Sequence, residues 1–179
     1  MFKGTGIRPA ELLIPASSDI SKWSVVACDQ YTSEPAYWQG VREFVGGAPS
    51  TLNLILPEAE LVLDKTQPYG ISSETLEKTL AIRGAMSACL DGGVFGEPVR
   101  GFILTERRFD SSEKPPRIGL VATIDLEEYA YDKDGGSPVR PTEGTVVERL
   151  PPRVVVRRRA PLETSHALLL IEDEQKSVI

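Results

Sequence analysis

The residues best suited to chemistry lie in one stretch, from Arg140 to Arg153, which reads RPTEGTVVERLPPR. Three arginines, two carboxylates (Glu143 and Glu148) and two hydroxyls (Thr142 and Thr145) share fourteen positions, stiffened by prolines and pivoting on Gly144. A carboxylate at Glu143 can take the proton of a substrate hydroxyl. The guanidinium forks of Arg140, Arg149 and Arg153, with neighbouring backbone N–H groups, can hold phosphate oxygens. A helix beginning near Thr145 would place Glu148 and Arg149 one turn in, beside an anion-binding helix end. The same residues also suit a plain surface turn, with Thr145 and Glu148 as a capping box and the remainder as solvent-screened ion pairs. Sequence leaves both readings open.

Asp29 is the second candidate for a general base, because Asp29-Gln30-Tyr31-Thr32 sets four polar side chains directly after an apolar run. Ends of strands are where ligand-binding groups collect in mixed sheets, although an Asp there also serves as an ordinary turn residue. The enzymatic reading requires the 140–153 stretch to face a cleft shared with Asp29. Arg157-Arg158-Arg159 reads as a solvated face, since it is short and borders acidic sequence. His166, the only histidine, fits a hydrogen-bonded structural role better than acid–base work. Gly4-Thr5-Gly6 and Gly46-Gly47 match no phosphate-loop spacing, and neither a Walker A lysine motif nor a G-x-S-x-G elbow is present.

Charge narrows the partners. The net charge is −6, but residues 1–139 carry −7, residues 140–160 carry +4 and residues 161–179 carry −3. An acidic total argues against non-specific nucleic-acid binding, whereas a local arginine cluster suits a small anion such as a phosphate or carboxylate. Cys28 and Cys89 stand far apart with no C-x-x-C spacing, which predicts free thiols and neither a zinc site nor a disulfide. No apolar run approaches membrane-spanning length and the first residues lack a signal-peptide core, so the cytoplasm is the expected compartment.

Around these residues the sequence predicts an α/β (α+β) protein with a mixed, partly antiparallel sheet and flanking helices. Trp23 to Cys28 reads as a buried strand opening into the loop at Asp29, and Leu52 to Leu56 as a second strand closed by Pro57. A helix is expected from Glu34-Pro35, capped by Ser33, carrying Tyr37, Trp38, Val41 and Val45 inward and stopping at Gly46-Gly47. A longer one is expected from about Ser73 to Gly92, with an apolar stripe of Ile82, Met86, Cys89 and Leu90. Phe102 to Thr105 and Ile118 to Ile124 read as an antiparallel pair across a polar connection, Asp132 to Gly136 as a turn, and His166 to Ile171 as a core strand. One domain over residues 1–179 is expected, with an internal boundary near 92–100. Ending soon after an apparent core strand, the chain reads as a portion of a longer protein.

Five segments together carry a resemblance: WSVVACDQYTSEPAYW from Trp23, APSTLNLILPE from Ala48, GLVATIDLEEYAY from Gly119, RPTEGTVVERLPPR from Arg140 and HALLLIED from His166. In this order they resemble the bacterial family catalogued as domain of unknown function 1015, the run at 140–153 being the most specific. The resemblance implies that this chain is the N-terminal part of a longer protein, whose later half carries an Asp-Gly-Asn-His or Asp-Gly-His-His signature followed by a helix. That signature is similar to one in the ParB/sulfiredoxin-like fold, whose members include nucleotide-dependent kinases of free serine. Here Asp91-Gly92 continues into Gly93-Val94, and His166 stands in no such context. The resemblance therefore carries over only Asp29, Arg140, Thr142, Glu143, Gly144 and Thr145, as contributors from the first half of a site, and implies that this portion alone is inactive.

The expected function is that of a small-molecule phosphotransferase of the serine-kinase type, using ATP or ADP with Mg²⁺. Glu143 or Asp29 would be its base, and Arg140, Thr142, Gly144, Thr145, Arg149 and Arg153 would hold phosphate or substrate; no metal ligand is assigned. The alternative is a non-catalytic module that senses a metabolite or regulates a partner through the same arginines. Nucleic-acid binding through Arg149 to Arg159 ranks last. Expected partners are a small anionic metabolite or nucleotide and the missing half of the family's own chain, with no membrane; homo-oligomerisation is left open.

Overall fold

Ser72 starts the longest helix. Its hydroxyl accepts the Thr75 N–H (3.1 Å) in a computed structural model that describes residues 4–17, 19–27, 30–110, 114–132, 136–141, 144, 146–147, 150–164 and 166–171. Helix α2 then runs over Ser73–Asp91, and Gly92 closes it by donating to Ala88 O. A Cβ at Gly92 would stand 2.7 Å from that carbonyl, which excludes larger residues from the position. The inward line is Thr75, Thr79, Ile82 and Met86, with Cys89 beside it. Leu90 stays 40% exposed, so the line runs two turns further towards the N-terminus than the apolar residues alone predict. Two buried threonines are tolerated there because their hydroxyls are bonded. Thr75 Oγ1 accepts the Val62 N–H (2.9 Å) and donates to Val62 O (3.0 Å), while Thr79 Oγ1 donates to Leu76 O (2.7 Å).

Helix α1 spans Pro35–Val45. The capping position is Glu34, one residue beyond the expected Ser33, and no side chain caps it; Pro35 occupies the first turn, where its missing N–H is harmless. Gly46 (φ 58°) ends the helix, its N–H reaching Arg42 O. Trp38 and Val45 are buried with Leu52, and Val25, Tyr37, Val41, Ile55 and Ala59 pack around them. A second cluster joins Leu54, Ile82 and Met86, with Val156, Ala160 and Leu162 against it.

The residues expected as a strand at 52–56 instead begin with the 3₁₀ turn Thr51–Leu54. Ser50 caps this turn, its hydroxyl taking the Leu52 N–H (3.2 Å), and the Thr51 N–H and hydroxyl both bond Trp23 O. The alternating leucines thus feed two different clusters, not one sheet face. Nor do the described residues after Trp23 form the expected strand. The Trp23 carbonyl is taken by Thr51, that of Val26 by the Tyr37 hydroxyl (2.6 Å), and Val26 is 60% exposed. Carbonyls committed to side chains leave no ladder to extend.

Helix α3, Leu150–Arg157, begins later than the Thr145 start that an anion-binding helix end would need. The prolines give the reason: Pro151 and Pro152 are tolerated in a first turn, but inside a helix starting at 145 they would clash with preceding carbonyls and remove two hydrogen bonds. Pro152 and Val155 face inward. His166 to Ile171, expected as a core strand, has no strand partner among the described residues and is exposed, Leu168 at 87% and Leu170 at 83%. High β-propensity does not make a strand without an edge to pair with.

Contacts divide the chain into two units. One holds residues 15–96 and 146–168, with all three described α-helices; the other holds 1–14, 97–145 and 169–179, with all six described strands. In the second unit β1 (Ile7–Arg8) pairs with β6 (Thr123–Ile124), β2 (Ala10–Leu12) with β3 (Val99–Gly101), and β4 (Ile103–Arg107) with β5 (Arg117–Val121), each antiparallel. The β4–β5 pair is the one the sequence predicts. Three stretches of chain, 7–12, 99–107 and 117–124, each change partner once, at Pro9, Phe102 and Ala122. Pro9 has no N–H with which to continue a ladder, so the switch falls there. The architecture is mixed α/β with small antiparallel sheets. No described helix is long and apolar enough to cross a membrane.

Two non-glycine residues in the helical unit adopt left-handed backbone, Tyr69 (φ 65°) and Arg159 (φ 63°). Each costs about 1 kcal/mol relative to a relaxed conformation.

Candidate functional site

Arg140 directly follows Val139, which is buried, bridges Tyr129 and accepts the Ala130 N–H (2.9 Å). Ser137 tightens the same turn by donating its hydroxyl to Glu128 O. The backbone before Arg140 is therefore fixed, and its side chain is exposed. Gly144 is exposed as well; a Cβ there would meet open space, so no close approach demands glycine. Thr142, Glu143, Thr145, Glu148 and Arg149 lie outside the described residues, as do Cys28 and Asp29.

Arg153 sits on α3, whose inward side holds Pro152 and Val155; Arg153, Val154 and Arg157 are exposed. Among the described residues neither Arg140 nor Arg153 has a carboxylate partner, while Arg157 bonds Glu163 (3.0 Å). Both arginines are thus reachable from solvent instead of buried. As expected of a solvated face, Arg157 is half exposed and paired. His166 is also exposed.

The loop following Asp29 is held at several points. Trp38 Nε1 donates to Thr32 O (3.0 Å), the Ala59 N–H donates to the same carbonyl, and Thr32 Oγ1 donates to Glu58 Oε2 (3.1 Å). Tyr31 stacks on Tyr37 with ring centroids 4.8 Å apart. This loop belongs to the Trp38 cluster, whereas α3 belongs to the Leu54 cluster. Among the described residues no hydrogen bond, ion pair or ring contact joins Arg153 to the loop at 30–34.

Other chemistry is weakly served. Burial pushes the Cys89 thiol up from its ordinary value, away from the thiolate that a nucleophile needs. Among the described residues no group of three or more His, Cys, Asp or Glu side chains could hold a metal ion. The sequence reading missed a polar constellation that joins Arg83, Arg158 and Tyr69. Arg158 Nη1 donates to the Tyr69 hydroxyl (2.5 Å), across 89 residues of sequence. No local motif announces such a pair.

With the geometry in place, comparison with known families is decisive on membership. The pattern of one family, described as protein of unknown function (DUF1015), matches residues 7–179. The chain belongs to that family. The match covers the strands of the sheet unit and the helices of the other alike, so the two units are parts of one DUF1015 sequence. No match was found among curated proteins or among solved structures.

Proposed function

We propose that this DUF1015 protein binds a small phosphorylated or carboxylated metabolite, or a nucleotide, through exposed arginines of the 140–153 stretch, and that a nucleotide-dependent small-molecule phosphotransferase activity, supported by the family resemblance and not by the geometry, belongs to the full-length protein. One observation carries the reading. In a chain of net charge −6, Arg140 and Arg153 stand exposed with no carboxylate partner among the described residues. Exposed guanidinium groups are common receivers of phosphate and carboxylate forks. In the reaction, the oxygen of a substrate hydroxyl attacks the terminal phosphorus of ATP or ADP. Its proton passes to Glu143 or Asp29, and the bond to the departing nucleotide oxygen breaks. Mg²⁺ bound with the nucleotide would neutralise the phosphates. The resemblance read from sequence between the family's later half and free-serine kinases makes serine the first acceptor to try. A cytoplasmic setting, where nucleotides are plentiful, fits the same reading.

The test is incubation of the full-length protein with serine, Mg²⁺ and ATP or ADP, following product by phosphorus NMR. A phosphate-ester signal that falls at least about tenfold in Glu143→Gln or Arg153→Ala is expected. Nucleotide binding without product on any small hydroxylated metabolite would reassign the arginines to a sensing role. Neither binding nor turnover would end the proposal.

A further inference from the structure

The end of α3 gathers positive charge around a single peptide bond. Arg83, reaching from α2, places Nη1 on Arg158 O (3.2 Å) and Nε on Thr79 O (3.4 Å), so its guanidinium rests where Arg158 joins Arg159. Arg158 sends Nη1 to the Tyr69 hydroxyl (2.5 Å). Among the described residues no carboxylate is paired with Arg83, Arg158 or Arg159. Arg83 alone caps the carbonyl at the helix end, while the Arg158 guanidinium is directed to the Tyr69 hydroxyl, so neither charge is matched by a carboxylate among the described residues.

Tyr69 is the more informative residue. It occupies the third position of the turn Gln67–Gly70, closed by the Gly70 N–H on Gln67 O (3.1 Å), with Pro68 before it. That position has positive φ and is relaxed for glycine, whereas a tyrosine there is strained. Tyr69 is 47% exposed, so its ring is only partly covered. What the position supplies is a fixed phenolic oxygen. Having accepted a proton contact from Arg158, that hydroxyl keeps its own proton to donate. Arg159, the other left-handed non-glycine residue, follows Arg158 directly.

We propose that Tyr69, Arg83 and Arg158 form a second oxyanion site, which takes a phosphate group either free or carried on a small metabolite. It uses none of the residues assigned to phosphotransfer above and stands or falls independently of that reading. The arginine forks supply charge and paired donors, and the Tyr69 hydroxyl supplies a directional one.

Titration of the whole chain with inorganic phosphate, and separately with phenyl phosphate, tests the site by chemical-shift changes and thermal melting against matched sodium chloride. Either ligand should raise the melting temperature beyond the chloride control. Binding of both assigns the site to phosphate itself; binding of phenyl phosphate alone assigns it to a phosphate ester. Tyr69→Phe and Arg158→Gln should each weaken binding about tenfold or more, the loss expected for a charge-assisted hydrogen bond. Tyr69→Gly should weaken binding equally while leaving the ligand-free melting temperature unchanged or higher, because it relieves the turn. A purely structural tyrosine would not separate those two readouts. Phosphate affinity unaltered in Tyr69→Phe and Arg158→Gln, or no response beyond chloride, overturns the site.

Discussion

Trp38→Ala should lower the unfolding free energy by about 3–5 kcal/mol, the largest loss expected from any single truncation in the helical unit. Trp38 is fully buried, packs with Val45 and Leu52, and meets the Tyr37 ring edge-on at 5.2 Å. Its indole N–H also holds Thr32 O, so the same change frees the loop that follows Asp29. Trp38→Phe keeps most of the apolar contact but gives up that hydrogen bond, which should cost about 1 kcal/mol beyond its cavity. Urea denaturation of the three proteins measures both. A loss below about 1 kcal/mol for Trp38→Ala would show that the first cluster is not a core.

Leu54→Ala should cost about 2–5 kcal/mol, since the side chain is 1% exposed against Ile82 and Met86. Leu52, two residues earlier, packs against Trp38 and Val45. A strand would turn both leucines to one sheet face and couple them, whereas the 3₁₀ turn sends each to its own cluster. The double variant should therefore equal the sum of the single ones within about 0.5 kcal/mol. Strong coupling between them would favour a shared face and contradict the turn.

Those two positions also show what the sequence could and could not reveal. Helix α1 was legible because Pro35, the Tyr37-Trp38-Val41-Val45 spacing and Gly46-Gly47 are all local signals. Helix α2 was legible for similar reasons, with Gly92 as its stop. The β4–β5 pair could be read from two apolar runs across a polar connection. Short apolar runs misled: residues 23–28, 52–56 and 166–171 all look like strands, yet pairing depends on partners remote in sequence. Ser50 and Thr51 capturing Trp23 O, and Tyr37 capturing Val26 O, decided the first two against strand. The late start of α3 was in principle readable, because Pro151-Pro152 fits only a first turn.

The candidate site divides along the same line. Residue types in the 140–153 stretch point to anion chemistry without any structure, and the structure adds that Arg140 and Arg153 are exposed and their backbones anchored. The Tyr69–Arg158 bond could not be foreseen, since a turn and a helix end 89 residues apart supply its two halves.

The most direct measurement is calorimetric titration of Mg²⁺-ATP and Mg²⁺-ADP into the protein at low and at physiological salt. Arg140→Ala and Arg153→Ala are titrated individually alongside it. Saturable binding that weakens with salt, and that falls at least about tenfold in at least one of the two variants, is the result predicted for an arginine that grips a nucleotide phosphate. Affinity equal in wild type and both variants, or no binding of either nucleotide, would contradict it.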